Sequence, residues 1–150
     1  MKVVIVGCGR VGGGLARELD AEGHEVVVID QRVRAFTRLG KDFKGRAELG
    51  NGVDETVLRR VGIEDADAFV SVTSGDNRNL MAAQIAKVLF GVPRVITRVY
   101  DPKRSEVYRE LGLETFCPTS MSLRVVRDFF FRGKDQSTSE PVLGGKESAA

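Results

Sequence analysis

Gly7-Cys8-Gly9-Arg10-Val11-Gly12 has the order G-x-G-x-x-G, and Asp30 follows about 20 residues beyond it. In this order the residues suit a pyrophosphate and a ribose. Gly7 permits a tight turn, Gly9 lets the backbone approach the phosphates with no Cβ in the way, and Gly12 lets a helix lie close to a strand. The phosphates then rest on the helix N-terminus, where unpaired N–H groups and the positive dipole end favour an anion. The carboxylate of Asp30 can take both ribose hydroxyls of an adenosine, and its charge disfavours the 2′-phosphate of NADP, a repulsion that Arg32 and Arg34 soften. Arg10, inside the loop, can lay a multi-donor cation over the phosphates; an exposed arginine at a helix start is the competing reading. Arg98 is a second candidate cation, with pairing to a nearby carboxylate as its alternative. No catalytic residue and no metal-ligand set emerges. The only histidine, His24, reads as a solvent-facing residue of the Glu22-Gly23-His24 turn.

The loop works only between a strand and a helix, and the sequence supplies both. Met1 to Val6 is a β-branched run, and Val11, Leu15 and Leu19 then repeat at helical spacing up to Gly23. Val26 to Ile29 form the second strand, ending at Asp30. Ala35, Phe36 and Leu39 suggest a short helix, and Arg46 to Leu49 a short polar edge strand. After Gly50-Asn51-Gly52 a helix spans Glu55 to Val61, with Asp54 as N-cap and Gly62 as terminator. Ala68 to Val72 is an apolar strand; a helix from about Arg78 to Phe90 follows. Val95 to Val99 is the fifth strand, Pro102 opens a helix to Leu111, and Leu113 to Cys117 is the sixth strand. A final helix starts at Pro118 or Ser120. Strict β/α alternation predicts an α/β, doubly wound Rossmann fold with a six-stranded parallel sheet in the order 3-2-1-4-5-6.

With 150 residues, 42% hydrophobic and 29% charged, the chain fits one soluble, cytoplasmic domain over residues 1–132. Residues 133–150 lack apolar periodicity and read as a disordered tail. The longest apolar run is about five residues, far below the ~20 a bilayer span needs. A net charge of +2, scattered in both signs, gives no argument for nucleic acid. In the expected strand order Cys8 and Cys117 lie roughly 14 Å apart, too far for a disulfide, so both read as small buried hydrophobes. On the final helix Met121, Leu123, Val125, Val126, Phe129 and Phe130 cover roughly 200° at 100° per residue, about twice the stripe that one sheet needs. A dimer mate, another protein or the folded-back tail would account for the excess.

Together these residues resemble a family, the RCK/KTN domain, the TrkA N-terminal type of nucleotide-binding regulatory subunit of potassium channels and transporters. The likeness covers about residues 2–130. It is carried by the glycine loop, Val28-Ile29-Asp30, Gly50-Asn51-Gly52, the run Gly62 to Ala68, Val72-Thr73, Asn79, and Val95-Ile96-Thr97-Arg98-Val99-Tyr100-Asp101-Pro102. The resemblance implies an adenine nucleotide, whether NAD(H), ATP or ADP, with AMP as a smaller relative, and no catalysed reaction. Gly7, Cys8, Gly9, Val11 and Gly12 would surround the phosphates through the backbone, with Arg10 and Arg98 adding charge. Asp30 would hold the ribose beside Gln31 and Arg32; Asn51, Gly52 and Val53 would form the adenine pocket; Thr73, Ser74 and Asn79 would line the far lip. The family usually has aspartate at position 51, and the Asn51 amide oxygen can accept the same bond. Many relatives continue into a ligand-binding RCK C-terminal domain that this sequence lacks. The resemblance therefore implies an N-domain-only subunit in a homo- or hetero-oligomer, partnered by a membrane potassium channel or transporter subunit and a second regulatory subunit, peripheral to the inner face of the cell membrane.

Two other classes compete. A minimal NAD-dependent oxidoreductase needs a proton donor and a substrate pocket, and no His, Lys or Tyr stands where one is required. An assembly module with a vestigial nucleotide site would rest on Asn51 and on the wide apolar face of the last helix.

Overall fold

Runs of valine and isoleucine flanked by glycine turns become the centre of a six-stranded sheet. The computed structural model describes residues 1–132. Its strands are β1 (Lys2–Val6), β2 (Glu25–Asp30), β3 (Arg46–Leu49), β4 (Ala68–Ser71), β5 (Arg94–Arg98) and β6 (Glu114–Phe116). All pairings are parallel and the order is β3-β2-β1-β4-β5-β6, as the alternation predicts. Central β1 is covered on both faces, which is why it reads as an unbroken apolar run. The two-residue period sends Val4 and Val6 to one core and Val3 and Ile5 to the other.

Five α-helices complete the layers: α1 (Arg10–Ala21), α2 (Glu55–Arg60), α3 (Asp76–Gln84), α4 (Pro102–Glu110) and α5 (Pro118–Phe131). Helix α1 and a 3₁₀ turn at Val33–Leu39 cover the Val3 and Ile5 face through Ala16, Ala35 and Leu39. Helices α2 and α3 cover the opposite face through Leu58, Leu80 and Ala83, against Phe69 and Ile29. The side chain of Asp54 caps α2 by accepting from Thr56 N at 2.8 Å. Gly62, at φ +71°, turns the chain out of that region in the left-handed conformation that glycine tolerates.

Two local expectations change. The fourth helical segment begins at Asp76, ahead of Arg78, and gives way to a π-helical turn at Ile85–Leu89. Asp76 fixes the early start, because its carboxylate accepts the Tyr100 and Asp101 amides at 2.8 and 3.1 Å. His24 is half-buried, within 3.6 Å of the Glu22 carboxylate and 3.4 Å of the N-terminal nitrogen, so it is not a purely solvent-facing residue. Both cysteines are buried and free, as their expected separation requires. No residue of α5 is buried, and Phe129 and Phe130 stand 68% and 71% exposed. The expected tail, residues 133–150, lies outside the described residues.

Candidate functional site

In this strand order the chain leaves β1 toward β2 on one side and returns from β3 to β4 on the other. A crevice therefore opens at the carboxyl ends of β1 and β4. Gly7 makes the turn at its base. Its φ is +105°, its amide donates to Ile29 O at 2.8 Å, and a Cβ there would stand 3.0 Å from the Thr73 nitrogen. Gly12 is needed for contact: a Cβ would lie 1.8 Å from Gly7 O. A Cβ at Gly9 would meet nothing within 4 Å, so the loop leaves that approach to its backbone clear. Gly9 is the N-cap of α1 and supplies no side-chain cap, and no acidic residue occupies the first turn. The helix start keeps its unpaired N–H groups and its positive field for an anion.

Asp30 is fixed before any ligand arrives. One carboxylate oxygen accepts the Cys8 amide at 2.8 Å and the other the Arg32 amide at 2.9 Å, with Arg32 Nε 3.7 Å away. The end of β2 is thus tied to the glycine loop by a charge-assisted bond. Cys8 sits behind the loop with its thiol donating to Ala35 O at 3.3 Å. Burial pushes that thiol's pKa up, the Asp30 charge adds to the rise and Arg38 opposes it, so the thiol stays protonated at neutral pH.

One cleft gathers Gly7, Asp30, Gln31, Arg32, Gly52 and Thr73, to which the structure adds Val6, Ile29, Gly50 and Arg78. Gly52 presses on β1, since a Cβ would come within 2.2 Å of Val6 Cγ1. Asn51 Oδ1 accepts the Val53 amide at 3.3 Å, which folds residues 51–53 into a compact turn beside Gly52. Ser74 is exposed beyond Thr73, and Val11 is exposed at the start of α1. Arg10 is also exposed, but it opens on a neighbouring groove and not on this cleft.

Asn79 and Arg98 do different work from that expected of lip and phosphate residues. Asn79 is fully buried. Its Oδ1 accepts from Thr73 N and Thr73 Oγ1, both at 2.7 Å, and its Nδ2 donates to Thr73 O at 2.8 Å and Arg98 O at 3.0 Å. It stands behind the lip and holds it. Arg98 Nη2 donates to Val72 O at 2.5 Å and Thr73 O at 2.9 Å, and its guanidinium lies 4.9 Å from the Tyr100 ring centroid. Its Nε is buried without a partner among the described residues. Arg98 therefore braces the end of β4 from the neighbouring strand. Arg78 was not singled out in the sequence. The available signal was its place in the first turn of the helix after β4, where side chains overlook the crevice.

Comparison with known proteins gives the same outline. The TrkA-N domain pattern matches residues 3–117. The Trk system potassium uptake protein TrkA of Streptomyces coelicolor is 47% identical over 142 residues, a stretch covering 95% of this chain and 62% of the relative. The Shewanella denitrificans Kef CTD in AMP-bound form superposes with a TM-score of 0.72 at 20% identity, over 89% of this chain and 83% of that one. The GsuK channel bound to NAD gives a TM-score of 0.68 at 21% identity, over 83% of this chain and 22% of that one. The chain thus spans less than two thirds of the length of its TrkA relative.

Proposed function

Because the chain belongs to the TrkA-N domain family, we propose that it binds an adenine nucleotide, NAD(H), ATP, ADP or AMP, and thereby regulates a potassium channel or transporter without catalysing a reaction. The carrying observation is the Asp30 carboxylate, buried to about 10% exposure and bonded to the Cys8 amide of the glycine loop. It holds a ribose acceptor and a phosphate cradle in one rigid unit. The AMP and NAD held by the two superposed proteins share the adenosine monophosphate half that such a unit recognises.

Residues 1–132 form the nucleotide-binding unit. Asp30 takes the ribose beside Gln31 and Arg32, the 51–53 turn receives the adenine, and the start of α1 receives the phosphates, with Arg10 at its edge. The ionisable residues lining the cleft are Asp30, Arg32 and Arg78. Guanidiniums stay charged and neither accept nor give up protons at neutral pH, and each Asp30 oxygen already accepts a backbone amide, so this lining suits holding a phosphate more than general acid–base chemistry. Helix α5, whose apolar face is uncovered among the described residues, is the surface for a companion: another copy, a second regulatory subunit or the membrane protein itself. Such a subunit would act at the inner face of the cell membrane; among the described residues no helix is long and apolar enough to cross one.

Thermal unfolding with AMP, ADP, ATP, NAD, NADH and NADPH tests the reading. A ligand at a hundredfold excess over Kd stabilises by about 2.7 kcal/mol. Adenine nucleotides should raise the melting temperature, with NADPH the weakest because its 2′-phosphate meets Asp30. No shift with any of them sinks the proposal.

A further inference from the structure

Three glycines follow one another in the first turn and a half of α1: Gly12, Gly13 and Gly14. A glycine inside a helix is less stable there than alanine, so each needs a reason. Gly12 has one in the contact with Gly7 O. Gly13 has another, since a Cβ would come within 3.1 Å of Arg38 Cβ. Gly14 has none among the described residues: a Cβ built there meets no atom within 4 Å.

Gly14 lies on the floor of an open groove of about 490 Å³ between α1 and the 3₁₀ turn. Arg10 and Arg17 border it along α1, four residues before and three after Gly14, on one helix face. Thr37 and Arg38 form the other bank, with the Arg38 stem seated in the space that Gly13 leaves. Among the described residues no carboxylate lines the groove; Asp20 and Asp42 line the next groove along, which Arg17 also borders. Among the described residues Arg10, Arg17 and Arg38 form no ion pair, and none of their guanidiniums donates a hydrogen bond. Three like charges facing an acid-free groove repel one another unless an anion joins them. The groove shares no lining residue with the cleft around Asp30 and adjoins the glycine loop only through Gly9 and Arg10.

We propose that this groove is a second anion site, in which a phosphoryl group of two or more negative charges lies over Gly14, held by Arg17 and Arg38 with Arg10 at one end. Guanidiniums match phosphate oxygens with paired N–H donors, and the missing side chain at position 14 lets the group approach the helix surface. Two sources carry this chemistry: the terminal phosphates of a nucleotide seated in the neighbouring cleft, or a separate phosphorylated ligand such as an anionic lipid headgroup.

The test uses the full chain at low ionic strength. Isothermal titration with sodium tripolyphosphate, ATP and AMP is run beside sedimentation with phosphatidylcholine vesicles, with and without phosphatidylglycerol. The variants are the pair Arg17→Ala with Arg38→Ala, and Gly14→Leu, which fills the groove floor with a good helix former. Tripolyphosphate should bind wild type and lose about tenfold or more in both variants, while AMP stays within about twofold and Gly14→Leu melts no lower than wild type. A parallel loss for ATP identifies the nucleotide as the source; a parallel loss for phosphatidylglycerol vesicles with ATP unchanged identifies the lipid. The proposal is overturned if wild type binds neither tripolyphosphate nor the anionic vesicles, or if both variants bind them as wild type does. It is also overturned if AMP weakens as much as tripolyphosphate in both variants. Absence of AMP binding to wild type would instead count against the adenosine cleft and leave this site standing.

Discussion

Replacing Asn79 with leucine should cost far more than a surface change, because residue 79 is fully buried. The four side-chain bonds of Asn79 all end on Thr73, two residues beyond β4, and on Arg98, the last residue of β5. Leucine has a similar volume and leaves Thr73 N without its acceptor and Arg98 O without that donor. Each buried polar group stripped of its partner costs about 1–3 kcal/mol, so the pair predicts roughly 2–6 kcal/mol. That is a large share of the ~5–15 kcal/mol that holds a domain of this size. Asn79→Asp keeps the two acceptor bonds but turns a carboxylate toward two carbonyls, and should cost as much. Urea unfolding at neutral pH measures the loss, and AMP titration at a denaturant-free, low temperature measures the loosened Thr73 lip as weaker binding. If Asn79→Leu unfolds within about 0.5 kcal/mol of wild type, Asn79 is not the latch described here.

Other perturbations separate the parts of the account. Gly12→Ala places a methyl 1.8 Å from the Gly7 carbonyl. Thermal unfolding should show a loss of roughly 3 kcal/mol, typical of overpacking against backbone, and an unchanged melting temperature would contradict the helix–strand contact. Glu48 accepts from Arg46 at 2.7 Å and Arg60 at 2.6 Å. Burial raises its pKa, but these bonds and charges outweigh it and hold the carboxyl below its ordinary value of 4.5. The ion cluster therefore stabilises the fold above about pH 4.5 and ceases to do so as pH falls through the lowered pKa. The melting difference between wild type and Glu48→Gln should be constant near neutrality and vanish in acid; a difference that persists there would refute the assignment. Arg10→Ala should weaken ATP more than AMP, and equal loss for both would argue against a phosphate role for Arg10.

Local signals in the sequence located what depends on local chemistry. The glycine loop, Asp30 and strand β2 follow from hydrophobic period and glycine placement, and even the polar edge strand Arg46–Leu49 was legible, because turn residues bracket it. The parallel order followed from β/α alternation. The roles of Asn79 and Arg98 were not legible, since Asn79 Nδ2 meets Arg98 O and Arg98 meets the Val72 and Thr73 carbonyls across 19 to 26 residues of sequence, and these become neighbours only when β4 and β5 pair. Arg78 escaped for a similar reason: a charged residue in a helix's first turn looks solvated until the sheet shows which way that turn points. The early start at Asp76 depends on amides of residues 100 and 101, beyond the reach of any periodicity.

Amide chemical shifts of the ¹⁵N-labelled chain during titration with AMP test the central claim most directly. The account predicts saturable shifts at Gly7 to Gly9, at Asp30 to Arg32 and at Gly50 to Val53, where loop, ribose acceptor and adenine turn meet. No shifts at saturating AMP, or shifts confined to residues away from the carboxyl ends of β1, β2 and β4, would contradict it.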